Sequence, residues 1–113
     1  MSDALFAGLA MQCKLAVLSN TDPLHSAVLD EKFAFLNFFP VRIYSCRVGA
    51  SKPSPIIYQA ALNALGSTVE ESLYIDDIPE FVEAAQNIGM DAVRFENPAQ
   101  LVCELTRRGL AAA

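Results

Sequence analysis

The sequence is poor in positive charge. Its eight Lys and Arg residues stand against thirteen Asp and Glu residues, which gives a formal net charge of -5. With so few cations there is no basic stripe to follow a phosphate backbone, so we expect no nucleic-acid partner. Long apolar runs are also missing. None approaches the roughly 18 residues of a membrane span, so we expect no membrane partner.

The N-terminal segment lacks the charged start of a secretory signal, so the expected location is the cytoplasm. Metal-binding patterns are equally scarce. There are three cysteines, Cys13, Cys46 and Cys103, with no CxxC spacing, and only one His. Because a zinc site needs about four such ligands in a tight pattern, the sequence predicts free cysteines packed in or near the core.

Apolar residues, in contrast, are abundant. They make up 53% of the 113 residues, above the usual value of about 45–50%. This excess indicates either a well-buried sheet or an apolar surface that a partner covers. The length fits a single domain over residues 1–113 and is enough to bury one core without disulfides or metal.

Helical and strand patterns alternate along the chain, and loop signals rich in Asn, Asp, Gly and Pro separate them. The predicted strands are 14–19, 41–45, 72–76 and 91–95, and the predicted helices are 3–12, 23–38, 54–65, 79–88 and one from Pro98 to about Arg108. Such alternation predicts an α/β fold, a three-layer arrangement with helices on both faces of a parallel sheet.

Polar residues follow the predicted strands. Ser19 and Asn20 come after the first strand, Lys52 lies in the loop after the second, and Asp76 and Asp77 end the third. Ligands of parallel sheets sit at the carboxyl ends of strands. A hydroxyl, an amide, a lysine and two carboxylates at that edge suit a phosphate-containing small molecule beside a magnesium ion.

Each of these residues also has a simpler interpretation. Ser19 and Asn20 are common turn residues, and Lys52 could be a solvated loop charge. Asp77 could cap a helix that begins at Pro79. The adjacent acids Asp76 and Asp77 are the hardest to explain this way, because two carboxylates at the end of a buried strand repel each other unless a cation or donors compensate.

Three sequence runs, taken in order, resemble the motifs of the haloacid dehalogenase-like (HAD) superfamily, whose core is a Rossmann-like sheet. They are LSN at 18–20, VGASKPSPIIYQAAL at 48–62 and YIDDIPEFVEAAQNIGMDAVRF at 74–95. The resemblance implies that Ser19 and Asn20 lie at the phosphate and that Lys52 stabilises the phosphate charge. It also implies that Asp77 is a direct ligand of Mg²⁺ and that Asp76 either binds Mg²⁺ directly or contacts its direct ligands.

The same resemblance exposes departures. The nucleophile of the family is the first Asp of a DxDxT-like motif on the central strand, and the only acid upstream of the matched runs is Asp3. The helical cap that usually follows that motif is missing, and Ile78 and Phe81 stand where polar residues are common. Without a nucleophile covalent catalysis loses its first step, so we predict no catalytic residue and no phosphatase activity for the chain alone.

Three interpretations remain open. The chain is a catalytically inactive HAD-like remnant, a fragment of a Mg²⁺-dependent HAD phosphatase or dehalogenase-type hydrolase, or a non-catalytic module that binds phosphate or Mg²⁺ or forms oligomers. A capped helix directly after Met1 favours the first.

The missing central strand also affects the predicted sheet. The resemblance implies that strands 14–19 and 72–76 flank the central strand in the family's sheet. Its absence would leave a vacancy about 10 Å wide, because neighbouring strands lie about 4.8 Å apart. Unpaired buried backbone groups cost about 1–3 kcal/mol each. We therefore expect a closed sheet of about four strands in the order 41–45, 14–19, 72–76, 91–95, combined with a homo-oligomer. A strand supplied by another chain is the alternative.

Overall fold

A computed structural model describes residues 3–22 and 39–110, so the helix predicted over 23–38 lies outside the described residues. The described helices are α1 (Asp3–Ala10), α2 (Ser45–Val48), α3 (Pro55–Leu65), α4 (Pro79–Asn87) and α5 (Pro98–Arg107). The strands are β1 (Ala16–Ser19), β2 (Val41–Tyr44), β3 (Leu73–Asp76) and β4 (Asp91–Arg94). Every predicted element within the described residues is present, and the parallel α/β fold is confirmed.

The helix boundaries follow from local capping. The Ser54 side chain accepts a hydrogen bond from Ile56 N at the start of α3, and Asn97 accepts one from Gln100 N at the start of α5. A proline occupies the first helical turn in both cases, where its missing N–H costs nothing. At the end of α3, Gly66 adopts a left-handed conformation with φ of 68°, which side chains disfavour.

The four strands form two separate parallel pairs. β1 pairs with β2, with Ser19 opposite Tyr44, and β3 pairs with β4, with Asp76 opposite Arg94. The expected pairing of 14–19 with 72–76 was wrong, because β1 and β3 do not hydrogen-bond to each other. Helix packing supplies the physical reason: α3 covers β1 and β2, α4 covers β3 and β4, and the two helices contact each other.

One apolar cluster joins the two pairs on the α3 and α4 face. It contains the buried residues Ile57, Tyr58, Leu62, Ala85 and Met90, and each strand contributes one partly buried side chain: Leu18, Ile43, Tyr74 and Ala92. This shared cluster, not a continuous ladder, therefore holds the pairs together.

A second cluster lies on the opposite face. It combines Leu9 of α1 with Leu101 and Leu105 of α5, and Leu73 of β3 packs against it. Since Leu73 and Tyr74 are adjacent in one strand and join different clusters, the clusters occupy opposite faces of the sheet. The three-layer arrangement is thus confirmed for the described residues.

The cysteines only partly follow the prediction. All three are free, but Cys46 and Cys103 are exposed and Cys13 is half-buried, so packing in the core was the wrong expectation for two of them. Within the described ranges, no helix has the length and apolar character needed to cross a membrane.

Candidate functional site

The predicted polar residues meet at the carboxyl edge of the strand pairs. Ser19 is the last residue of β1 and Asp76 is the last residue of β3. The loop that follows β2 and α2 brings Lys52 between them. This convergence is expected from topology, because parallel strands place their carboxyl ends on the same side.

Asn20 fixes the backbone of the Lys52 loop. Its side-chain oxygen accepts a hydrogen bond from Lys52 N at 2.8 Å, and its side-chain nitrogen donates to Lys52 O at 3.2 Å. The Lys52–Pro53 peptide bond is cis. Both ends of the Asn20 amide are therefore engaged with Lys52, a role that the sequence pattern did not indicate.

Ser45 holds the neighbouring segment in a similar way. Its hydroxyl donates to Thr21 O at 3.0 Å and lies 2.8 Å from Thr21 N, which donates to it. Ser45 begins α2 directly after β2, so it ties the loop after β1 to the end of its paired strand. The sequence analysis missed this residue.

Lys52 and Asp76 form an ion pair that is nearly shielded from water. Lys52 Nζ lies 2.9 Å from Asp76 Oδ2, and the side chains are 10% and 8% exposed. The ammonium group also lies 4.9 Å from the centre of the Phe81 ring. A cation over an aromatic face is attracted to it, so Phe81 supports the lysine at this position.

Two tyrosines back this ion pair. The Tyr74 hydroxyl donates to Asp76 Oδ2, and Tyr74 packs edge-on against Tyr58 with ring centres 5.2 Å apart. The Tyr58 hydroxyl in turn donates to Phe81 O at 2.8 Å. Tyr74 precedes Asp76 by two residues and so lies on the same face of β3, which is the one sequence signal that could have revealed it.

These contacts set the protonation states. Burial opposes the charge on Asp76, but hydrogen bonds from Tyr74, Lys52 and the Ile78 backbone N–H outweigh it and hold the pKa of Asp76 below its ordinary value. Burial, then the hydrogen bond to Asp76 and its negative charge, raise the pKa of Tyr74 well above its usual range. Asp76 is therefore a carboxylate and Tyr74 a neutral donor near neutral pH.

Asp77 and Ser19 are less engaged. Asp77 is exposed and does not cap α4, because the N-cap residue of that helix is Ile78, without a side-chain capping hydrogen bond. The N–H of Ile78 instead donates to Asp76 Oδ1 at 3.0 Å. Ser19 is half-buried, and its hydroxyl makes no hydrogen bond within the described ranges. Both groups are thus available to a ligand.

An open cavity of about 310 Å³ lies at this edge, lined by Leu18, Lys52, Ile75, Asp76, Asp77 and Phe95. It contains three of the five predicted site residues. The predicted phosphate and metal residues therefore surround one space, apart from Ser19 and Asn20, which lie at the end of β1 beside it.

The residues do not by themselves make a complete magnesium site. Among the described residues no three carboxylate, His or Cys side chains group closely enough to hold a metal ion. Asp76 already accepts bonds from Lys52, Tyr74 and Ile78, which leaves Asp77 as the one uncommitted carboxylate of the pair. Mg²⁺ takes six oxygen ligands, with waters and phosphate oxygens beside its carboxylates, so a single carboxylate is a weak anchor.

A three-layer parallel α/β core with a lysine, a serine and two acids at its carboxyl edge defines a class, the HAD-like hydrolase core. Residues 2–89 match the family model described as haloacid dehalogenase-like hydrolase. The chain belongs to this family of hydrolases and phosphatases and covers part of its core, as the resemblance predicted.

Curated relatives are considerably longer than this chain. A phosphatase from Mycobacterium tuberculosis is 38% identical over 88 residues, which is 77% of this chain and 41% of the relative. Flavin mononucleotide hydrolase 1 of Arabidopsis thaliana is 30% identical over 88 residues, or 78% of this chain and 36% of the relative. The chain therefore spans about two-fifths of these proteins.

Solved structures agree on the fold. A predicted HAD-like family hydrolase from Porphyromonas gingivalis has a TM-score of 0.76 at 28% identity, covering 94% of this chain and 55% of that one. An uncharacterised protein from Corynebacterium glutamicum has a TM-score of 0.86 at 21% identity, covering 98% and 82%. A HAD family enzyme from Bacteroides thetaiotaomicron, with a TM-score of 0.76 at 24% identity over 86% and 54%, was solved with magnesium and inorganic phosphate.

Proposed function

We propose that this chain carries the phosphate-side part of a HAD-like hydrolase site and does not hydrolyse phosphate esters by itself. The observation that carries the proposal is the ion pair between Lys52 and Asp76, whose charged atoms are 2.9 Å apart. Within the described residues, no third carboxylate joins Asp76 and Asp77 at this edge. The cation expected at the phosphate is already neutralised, and no side chain of the sequence matches the family nucleophile.

The charge balance at the carboxyl edge supports the proposed lack of hydrolysis. Phosphoryl transfer depends on positioned charge around the transferring group. Here one lysine stands against two carboxylates, so an incoming phosphate dianion gains little attraction. Asp77 would contribute to holding Mg²⁺, which when bound would neutralise phosphate charge. The neighbouring carboxylate, that of Asp76, is already bonded to Lys52.

A hydrolysis assay tests the proposal. The chain is incubated with p-nitrophenyl phosphate and Mg²⁺, with Lys52→Ala and Asp77→Ala variants in parallel. We expect the rate of the chain to equal that of both variants and of buffer. Turnover that disappears in Asp77→Ala would show a working metal site and overturn the proposal.

Weak phosphate binding without turnover is the second candidate function. It is favoured by the Ser19 hydroxyl, which makes no hydrogen bond within the described ranges. Ser19 lies next to Asn20, which bonds the backbone of Lys52. Titration with inorganic phosphate, followed by amide chemical shifts, should perturb residues near Ser19. The effect should be lost in Ser19→Ala and kept in Lys14→Ala, since Lys14 lies before β1 at the opposite edge and bonds Leu65 O.

Self-association stays a prediction. Ile56 and Ile78 are 64% and 42% exposed, so apolar surface is left uncovered near the start of α3 and α4. Sedimentation velocity across a range of protein concentrations tests it, and a constant monomer mass would contradict it.

A further inference from the structure

The outer side of β4 is an open strand edge. Within the described residues β4 pairs with β3 alone. Phe95 N donates to Asp76 O at 2.8 Å, so the backbone groups of Phe95 face β3. Because the backbone groups of successive residues point to opposite sides of a strand, those of Arg94 and Glu96 face away from β3. Such an edge presents bonding groups to any strand that reaches it.

The Gln100 side chain occupies this edge in place of a strand. Its amide nitrogen donates to Arg94 O at 3.0 Å, and its amide oxygen accepts from Glu96 N at 3.2 Å. An amide that donates to one outward backbone group and accepts from another makes the same bonds as the backbone of a neighbouring strand. Gln100 is half-buried in the first turn of α5, so the helix that follows β4 covers the edge with one side chain.

The space beside Gln100 is open. A cavity of about 400 Å³ is bordered by residues of β4 and of α5, and its lining includes Ala92, Arg94, Glu96, Gln100 and Arg107. The side chains of Arg94 and Glu96 are exposed and make no hydrogen bond or ion pair within the described ranges. The edge therefore combines room for a strand, outward backbone groups and two uncommitted opposite charges.

We propose that the outer edge of β4 is a pairing surface for the same edge of a second copy of this chain, and that Gln100 keeps it closed in the monomer. In an antiparallel pair with a two-fold axis at Phe95, Arg94 of each copy lies opposite Glu96 of the other. Arg94 O of one copy then accepts from Glu96 N of the other, and these are the two groups that Gln100 holds in the monomer.

Charge complementarity selects a second copy as the occupant. Arg94 and Glu96 lie two residues apart on one face of the strand, so an antiparallel copy places an opposite charge across from each of them. A parallel copy in register would set like charges side by side. Oppositely charged residues directly across a strand pair stabilise it, and like charges destabilise it. The antiparallel arrangement is therefore the one that the side chains favour.

The pairing is short, so one side chain is enough to oppose it. Residues 94–96 form the whole ladder, because Pro98 has no N–H and begins α5. The two copies would exchange their bonds to Gln100 for an equal number of backbone bonds across the pair. Since this exchange is nearly balanced, removal of the Gln100 amide should favour association.

Sedimentation equilibrium of the full chain tests the proposal. Gln100→Ala is compared with the wild type and with Gln59→Ala, whose amide bonds Asn63 within α3. Gln100→Ala should dimerise about tenfold more tightly than the wild type, because the edge groups then lack a competing partner. Gln100→Met, which keeps the length of the side chain without an amide, should behave in the same way. Gln59→Ala should match the wild type, and a wild-type affinity in both Gln100 variants would overturn the proposal.

Charge reversal locates the surface and fixes the register. In the Gln100→Ala background, Arg94→Glu and Glu96→Arg each place like charges across the pair, so each variant alone should dimerise about tenfold more weakly. An equimolar mixture of the two should regain the affinity as a mixed dimer, since opposite charges then face each other again. Glu83→Arg, an equal charge change at an exposed residue of α4, is the control. It should leave dimerisation unchanged and should not rescue Arg94→Glu.

The remaining outcomes separate this surface from others on the molecule. Association that does not respond to reversal of Arg94 or Glu96 would arise elsewhere, for example at Ile56 and Ile78, and would overturn pairing at β4. A mixture that stays monomeric would do the same. In the Gln100→Ala dimer the amides of Arg94 and Glu96 should exchange about tenfold more slowly than in its monomer, and unchanged exchange would count against the pairing. Circular dichroism checks that each variant folds.

Discussion

Two charge clusters lie at opposite edges of the strand pairs. At the carboxyl edge, Lys52 and Asp76 are 10% and 8% exposed. At the other edge Arg108, after α5, binds Asp91 at the start of β4, and their side chains are 21% and 53% exposed. Both clusters join an acid on a strand to a cation from a different element. They differ mainly in their access to water.

Exposure decides what each cluster can do. Arg108 donates two hydrogen bonds to the Asp91 carboxylate, from Nε at 2.6 Å and from Nη2 at 3.1 Å, and so connects the end of α5 to β4. Water and salt weaken such a pair, so its loss lowers the stability of the fold only slightly. The shielded pair of Lys52 and Asp76 contributes little to the free energy of unfolding while it is intact. Removing one partner leaves the other charge buried without a counter-ion. The comparison therefore predicts unequal responses to matched substitutions.

The largest effect is expected for Lys52→Met. The carboxylate of Asp76 would lose its counter-ion in a nearly buried setting, and such losses destabilise by about 3 kcal/mol or more. Urea unfolding measures the change. The matched control is Lys14→Met, since the exposed Lys14 donates one hydrogen bond to Leu65 O and should cost less than about 1 kcal/mol.

A double variant sharpens this test. Lys52→Met combined with Asp76→Asn removes both charges and should recover part of the stability lost in Lys52→Met. If Lys52→Met unfolds at the same urea concentration as Lys14→Met, the pair is not shielded and the contrast between the two edges fails.

The second effect is expected for Tyr74→Phe. It removes the hydroxyl that donates to Asp76, and a hydrogen bond to a charged group contributes about 1.5–3 kcal/mol. Tyr58→Phe is the control, because the Tyr58 hydroxyl donates to the neutral Phe81 O and should contribute about 1 kcal/mol. Thermal and urea unfolding of both variants compare them. An equal loss would contradict a special role for Tyr74.

Alkaline pH offers a third test of the shielded cluster. The pKa of Tyr74 is raised in the folded state by burial and by Asp76. Its contribution to stability is therefore complete below its ordinary pKa of about 10 and is lost as pH rises beyond it. Stability measured between pH 8 and 11 should fall less steeply in Tyr74→Phe. Some slope should remain, because burial also raises the pKa of Tyr58.

Much of the fold could be predicted from local chemistry. The Ser54 and Asn97 caps, and Gly66 after α3, are short-range signals that tertiary packing did not override. The lack of pairing between β1 and β3 could not be predicted, because it depends on whether helix packing or strand closure sets the distance between the two pairs. In this molecule the helices α3 and α4 set it.

That the candidate residues lie near one another could be predicted from the sequence, but the hydrogen bonds between them could not. Lys52, Asp76 and Asp77 line one cavity, since strand order alone brings carboxyl ends together. That Asn20 would hold the backbone of Lys52, and that Tyr74 would bond Asp76, depends on side-chain reach, which motif spacing does not contain. The assignments of Ser19, Asn20 and Lys52 to phosphate, and of Asp76 and Asp77 to Mg²⁺, stay predictions.

The smallest effect belongs to the exposed edge. Asp91→Asn removes one charge from the pair with Arg108, whose hydrogen bonds are the main reason that the pKa of Asp91 is lowered. An exposed pair contributes about 0–1 kcal/mol, and salt screens it. We therefore expect a small loss that disappears in about 1 M NaCl, measured by urea unfolding at both salt concentrations. The loss in Lys52→Met should persist in the same salt, because water and ions scarcely reach that pair. If high salt rescues both variants equally, the two edges do not differ in shielding.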